Sequence, residues 1–209
     1  MLSYGLLVIS IAVVVIAYFI LLINKFNSKK KLDNFCGFDA AKEVTSNYDS
    51  INVVSADIMV SEYDIKRNVI RLSKKNYDGD SVYDTFITSL LAGYSLVNSD
   101  NNSLFKFSII VNKIRCFSIV SLVMVVMSYF ISNIGDAKLG LVIFILMLVY
   151  QYMRYQIAVI ANDIIKNNLN KKVFGEIDKL LNTNVVFYKL SFIASLVMIL
   201  RLVVIIMGM

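Results

Sequence analysis

The sequence predicts a mostly α-helical integral membrane protein, with about four transmembrane helices and a small cytoplasmic α+β unit between the first and second. Three observations carry that expectation. The 209 residues are 58% hydrophobic with a mean hydropathy of +0.70, well above a soluble domain. Apolar runs recur at about the twenty residues that cross a hydrocarbon core. Lys and Arg number 21 against 15 Asp and Glu, a net charge of +6, and they gather beside the apolar runs instead of forming one basic stripe. Membrane lipid is therefore an expected partner and nucleic acid is not.

Composition also removes whole classes of chemistry. The chain has no histidine, no tryptophan and no proline. Histidine is the commonest zinc ligand and the usual general base near neutral pH, so histidine-dependent mechanisms are excluded. Serine and cysteine nucleophiles lack that base, and no phosphate-cradling glycine loop is present. Cys36 and Cys116 are far apart and lack C-x-x-C spacing, so neither a disulfide framework nor a cysteine zinc site is expected. No cofactor is expected.

Taken in order, Ser3 to Ile23 is uncharged and apolar, and residues 1–24 form an N-terminal anchor. Its positive charges follow the run instead of preceding it, unlike a signal peptide. Lys25, Lys29, Lys30 and Lys31 place that side in the cytoplasm and the N-terminus outside. The Lys29 to Lys31 run suits anionic lipid, although fixing topology is its commoner role.

Residues 32–113 are more polar and make the cytoplasmic α+β unit. A short helix is expected from Gly37 to Asn47, beginning near Asp39. Ile51 to Val60 and Val69 to Leu72 carry β-branched residues suited to strands, and Tyr63 to Asn68 between them has turn chemistry, so the two strands are expected to pair as a hairpin. The most informative stretch is the helix from Asp80 to Val97. Val82, Phe86, Leu90 and Val97, with Ile87, Leu91 and Tyr94 beside them, recur at the spacing of one apolar face. Asp80 or Ser81 caps the start, Asp84 lies near the positive end of the dipole, and Asn98 to Asn102 is a polar stop.

Leu104 to Val111 suits an interfacial helix. Residues 114–153 form a transmembrane hairpin, with Phe117 to Ile134 crossing, Asp136 and Lys138 in a tight glycine-containing loop, and Leu139 to Met153 returning. Arg154 closes that span. Residues 154–184 are expected as a cytoplasmic helical pair, Tyr155 to Lys166 and Val173 to Asn182, separated by N-N-L-N-K-K. Residues 185–209 hold the last span, with its end outside. Arg201 lies within it and should find a partner, Asp136 or helix carbonyls.

The stretch S-E-Y-D-I-K-R-N-V-I-R-L-S-K-K-N-Y-D-G-D-S from Ser61 to Ser81, with the helix after it, resembles the YugP-like neutral zinc metallopeptidases of bacterial membranes. The most specific echoes are Tyr63-Asp64, Val69 to Ser73 and Tyr77-Asp78-Gly79-Asp80-Ser81 within that stretch, and Leu180-Leu181-Asn182, Tyr188 and Ile199-Leu200-Arg201-Leu202 beyond it. The resemblance implies that the α+β unit is metallopeptidase-like and that its helix stands where that family carries A-H-E-x-G-H-A. On that alignment Leu90 and Tyr94 occupy the positions of the two ligand histidines, Leu91 that of the general-base glutamate, and Arg154 that of a third, carboxylate ligand. Of the motif only Gly93 survives.

A zinc site of that type needs two imidazoles one helical turn apart and a carboxylate to activate metal-bound water. Leucine, tyrosine and arginine supply none of these. The expectation is a catalytically inactive pseudopeptidase without metal, acting by scaffolding or regulating another membrane protein or protease, or as a homo- or hetero-oligomer. The alternatives are a structural or channel-like small membrane subunit and a peptidase with non-standard ligands. Arg154 is expected either to pair with Glu62 or Asp64 or to fix topology, and Tyr94 to be a core tyrosine with its hydroxyl satisfied.

Overall fold

A computed structural model describes residues 2–33, 35–48, 50–99 and 134–208. Helix α1 spans Leu2–Asn27, α2 Gly37–Val44, α3 Lys74–Asp78, α4 Val82–Ser99, α5 Ile134–Asn168 and α6 Lys171–Ile206, and three short strands, β1 Asn52–Ala56, β2 Glu62–Asp64 and β3 Val69–Ser73, lie between α2 and α3. The described chain is mostly helical with one small sheet. It divides into two compact units: residues 1–20, 107–156 and 186–209, and residues 21–106 and 157–185.

The second unit carries the sheet. Its strand order is β1-β3-β2, with β1 parallel to β3 and β2 antiparallel to it. The hairpin expected between Ile51 to Val60 and Val69 to Leu72 is therefore not the pairing formed: Asn52 aligns with Val69 in parallel, and the hairpin is made by β2, which overlaps the start of the stretch expected to turn. The turn itself is only residues 65–68. Asp64 Oδ1 accepts from the N–H groups of Lys66 and Arg67 at 3.1 and 3.3 Å, and Asn68 takes a left-handed φ of 54°, a conformation asparagine tolerates. Central strand β3 buries Ile70 and Leu72 completely, because successive side chains alternate between faces.

Helix α2 buries Gly37, Ala40, Ala41 and Val44, one stripe at helical spacing. Its start is capped at Cys36, whose backbone N–H donates to Asp39 Oδ2 at 3.1 Å. Ala40, Ala41 and Val44 join Ile70, Leu72, Val82, Phe86, Leu96, Ile165 and Leu181 in one core.

Two helices run longer than expected. Asp136 and Lys138 lie inside α5 and not in a loop, and α5 continues through Arg154 to Asn168. Helix α6 joins the expected short helix from Val173 and the last span into one. The polar triplet Asn182-Thr183-Asn184 does not break it, because Thr183 Oγ1 donates to the Lys179 carbonyl at 2.7 Å and Asn182 Nδ2 to Asp178 Oδ1 at 3.0 Å, both one turn back along the helix. The break expected within N-N-L-N-K-K, residues 167–172, does separate α5 from α6, at residues 169–170.

In the first unit Leu7, Ala137, Phe144, Met198 and Leu202 make a separate core. Ser10 Oγ donates to the Ala194 carbonyl at 3.4 Å, the kind of small-residue approach that lets apolar helices pack closely. Outside that core the helices expose Val8, Ile16, Phe19, Leu146, Val149 and Leu200. Three described helices are long and apolar enough to cross a membrane, within Ser3–Phe26, Gly140–Asn168 and Lys171–Ile206. The segment expected at Leu104 to Val111, the span expected at Phe117 to Ile134 apart from its last residue, and Cys116 lie outside the described residues.

Candidate functional site

Helix α4 begins where the chain after α1 folds across it. Ser81 caps the helix: its Oγ accepts from the Asp84 N–H at 3.1 Å while its hydroxyl donates to the Asp84 carboxylate at 2.5 Å. The Val82 and Tyr83 N–H groups donate to the carbonyls of Lys30 and Ser28 at 2.9 and 3.1 Å. These donors would otherwise be the unsatisfied groups of a helix start, so the positive end of α4 is engaged by protein and does not cradle an anion. Leu32 N–H to the Asp80 carbonyl at 2.7 Å and Gly37 N–H to the Gly79 carbonyl at 2.9 Å continue the clasp.

The face that α4 buries differs in part from the expected one. Val82, Phe86 and Val97 are buried as anticipated, but Leu90, Leu91, Ile87 and Tyr94 are only half-buried. The deepest residues are small: Thr85, Thr88, Ser89, Ala92 and Ser95 are fully buried. Close approach explains the preference. A Cβ on Gly93 would lie 3.1 Å from Ile165 and 3.2 Å from Ala161 Cβ on α5, and one on Gly37 would lie 2.9 Å from Thr88 Cγ2. Only short side chains fit such contacts. Thr88 and Ser95 hide their hydroxyls by donating to carbonyls of their own helix at 2.8 to 3.1 Å, whereas the Thr85 and Ser89 oxygens have no partner among the described residues.

Leu90, Leu91 and Tyr94 pack against the core of this unit or accept a polar neighbour. The two leucines contact the core cluster, and the Tyr94 hydroxyl accepts from Asn184 Nδ2 at 3.5 Å. Where the resembled family would need three electron-pair donors, this helix presents two alkyl side chains and a phenol. Among the described residues no three His, Cys, Asp or Glu side chains are grouped as metal ligands. Burial pushes the Cys36 thiol up, away from the thiolate that a nucleophile requires.

The remaining expected residues fall in different places. Glu62 receives Arg71 Nη1 at 3.3 Å from the facing strand, and Asp64 holds the β2–β3 turn. Arg154 belongs to the other unit, where its Nη2 donates to the Tyr188 hydroxyl at 2.7 Å and its guanidinium lies 5.1 Å from that ring's centre. Arg201, also in that unit, is 3% exposed; the Asp136 side chain expected near it lies outside the described residues.

One feature was not legible in the sequence. Beside the start of α4 a pocket of about 100 Å³ opens between Asn24, Ser28 and Lys30 on one side and Glu176 and Lys179 on the other. The only sequence signal near it is the Lys29 to Lys31 run, because residues 24–30 and 176–180 are far apart along the chain. No family model, curated protein or solved structure matches this chain.

Proposed function

We propose that the protein is a catalytically inactive membrane relative of the YugP-like zinc metallopeptidases, a pseudopeptidase that scaffolds or regulates another membrane protein or protease. The observation that carries this reading is the chemistry of α4. The helix fits the resembled helix in position, between the β3–α3 segment and the polar stop, yet Leu90, Leu91 and Tyr94 stand at the ligand and base positions. The chain has no histidine to replace them. A leucine has no lone pair, and a neutral phenol held against Asn184 is a poor zinc ligand. The three long apolar helices support membrane residence; four spans, with both ends outside, remain part of the proposal, drawn from the lysine distribution.

A framework that keeps its packing after losing its reaction is retained through binding, so the function lies in its surfaces. The test has two arms. Metal analysis of the purified full-length protein in detergent is expected to find far less than one zinc per chain, with no peptide cleavage that a chelator stops; stoichiometric zinc with chelator-sensitive hydrolysis would overturn the inactive reading. Deletion of the gene is expected to change the level or processing of at least one membrane protein, restored by the wild-type chain; unchanged membrane-protein levels would overturn the regulatory reading.

A further inference from the structure

We propose that the pocket between the end of α1 and the first turns of α6 binds the phosphate group of an anionic phospholipid. Its walls are built for one negative charge. Lys30 Nζ lies 2.8 Å from Glu176 Oε1 and keeps two further N–H donors, and Lys179, three residues beyond Glu176 on the same helix face, makes no ion pair among the described residues. Two ammonium groups against one carboxylate leave a charge of +1, which a phosphodiester neutralises. Asn24 is 8% exposed and donates one amide hydrogen to Thr183 Oγ1 at 2.6 Å, leaving a second for a ligand oxygen. Ser28, 5% exposed, holds the turn by donating to the Lys25 carbonyl at 2.9 Å. Val82 and Leu180 add an apolar wall suited to glyceryl carbons.

Position favours a lipid over a free ion. Asn24 is the first polar residue after the apolar run Ser3 to Ile23, so the pocket opens at the depth where headgroups lie. Among the neighbouring lysines, Lys25 lies over the Tyr83 ring at 5.4 Å, Lys29 over the Phe26 ring at 5.7 Å, and Lys31 pairs with Asp80 at 2.8 Å, and none of the three lines the pocket. Lys30 and Lys179 do line it, so theirs is the positive charge that faces a ligand there. They turn a diffuse attraction between basic residues and an anionic surface into one defined seat.

The full-length protein in detergent is titrated with phosphatidylglycerol, phosphatidylcholine or inorganic phosphate, and thermal unfolding is followed. Phosphatidylglycerol is expected to raise the wild-type midpoint and phosphatidylcholine to leave it unchanged. Lys179→Gln and Lys30→Gln are expected to weaken the phosphatidylglycerol response about fivefold each, the usual weight of one basic residue at an anionic surface. Lys171→Gln with Lys172→Gln, on the same helix outside the pocket, is expected to keep it. Glu176→Gln is expected to strengthen it, a gain that damaged folding does not produce. Equal responses in all variants would overturn the pocket, and a response to inorganic phosphate matching that to phosphatidylglycerol would overturn the lipid as its source.

Discussion

Gly37→Ala tests how tightly the α2–α4 contact is set. Gly37 opens α2 in ordinary backbone conformation, so the substitution carries no dihedral strain; its cost is steric. The added Cβ would stand 2.0 Å from the Asn76 carbonyl oxygen and 2.9 Å from Thr88 Cγ2, more than 1 Å inside ordinary contact with a backbone atom that no side-chain rotation relieves. The start of α2 must move away from α3, loosening the Gly37 N–H bond to the Gly79 carbonyl and the seat of Ala40, Ala41 and Val44. Overpacking of this kind costs about 1–3 kcal/mol, and the better helix propensity of alanine returns less than about 1 kcal/mol. A net loss of about 2 kcal/mol corresponds to a midpoint about 4–8 °C lower for a chain of this size, read by thermal unfolding in detergent. Gly175→Ala is the matched control: it lies in α6 with nothing within 4 Å of the new Cβ, so propensity alone is expected to raise the midpoint by about 2–4 °C. A Gly37→Ala protein as stable as wild type, beside a stabilised Gly175→Ala protein, would refute the packing described for α2.

Ser89→Ala is expected to stabilise the protein by about 1 kcal/mol in chemical denaturation, because it removes a fully buried hydroxyl with no partner among the described residues; a destabilised variant would mean that the hydroxyl is satisfied. Ser81→Ala is expected to cost about 1 kcal/mol by removing the α4 cap, visible as faster amide exchange confined to the first turn. Tyr188→Phe keeps the ring under Arg154 but removes the hydroxyl that its guanidinium donates to, and is expected to cost about 2 kcal/mol, as for other hydrogen bonds to charged groups; an unchanged denaturation midpoint would refute that bond. The hydrogen bond from Lys31, with its charge, holds the Asp80 carboxyl below its usual range. A carboxyl lowered on folding contributes stability above its unfolded value and loses it as pH falls through the folded one. The stability difference between wild type and Asp80→Asn is therefore expected to be small, present at neutral pH, to decline as pH falls below about 4 toward the lowered folded value, and to weaken at high salt; a difference that grows in acid would refute the pairing.

The sequence by itself determined what depends on local chemistry. An apolar run without charge reads as a span wherever it folds, and Ser81 with Asp84 marks a helix start whatever packs against it. The absence of histidine removes imidazole chemistry without reference to shape, and the leucines and tyrosine of α4 are visible as residue types before their surroundings are known. Only the tertiary structure decided matters that join distant residues. β-Branched residues showed that Val53 and Ile70 suit strands but not that their strands run parallel with β2 as the hairpin partner. Helical spacing marked the large apolar residues of α4, yet Thr88 and Gly93 are among its buried residues, because α2 and α5 approach too closely there for larger side chains. The joining of Asn24 to Thr183 and of Lys30 to Glu176, on which the proposed lipid seat rests, spans more than 140 residues. Backbone preference and hydropathy act over a few residues, whereas strand order, close approach and ion pairing depend on where the rest of the chain is brought.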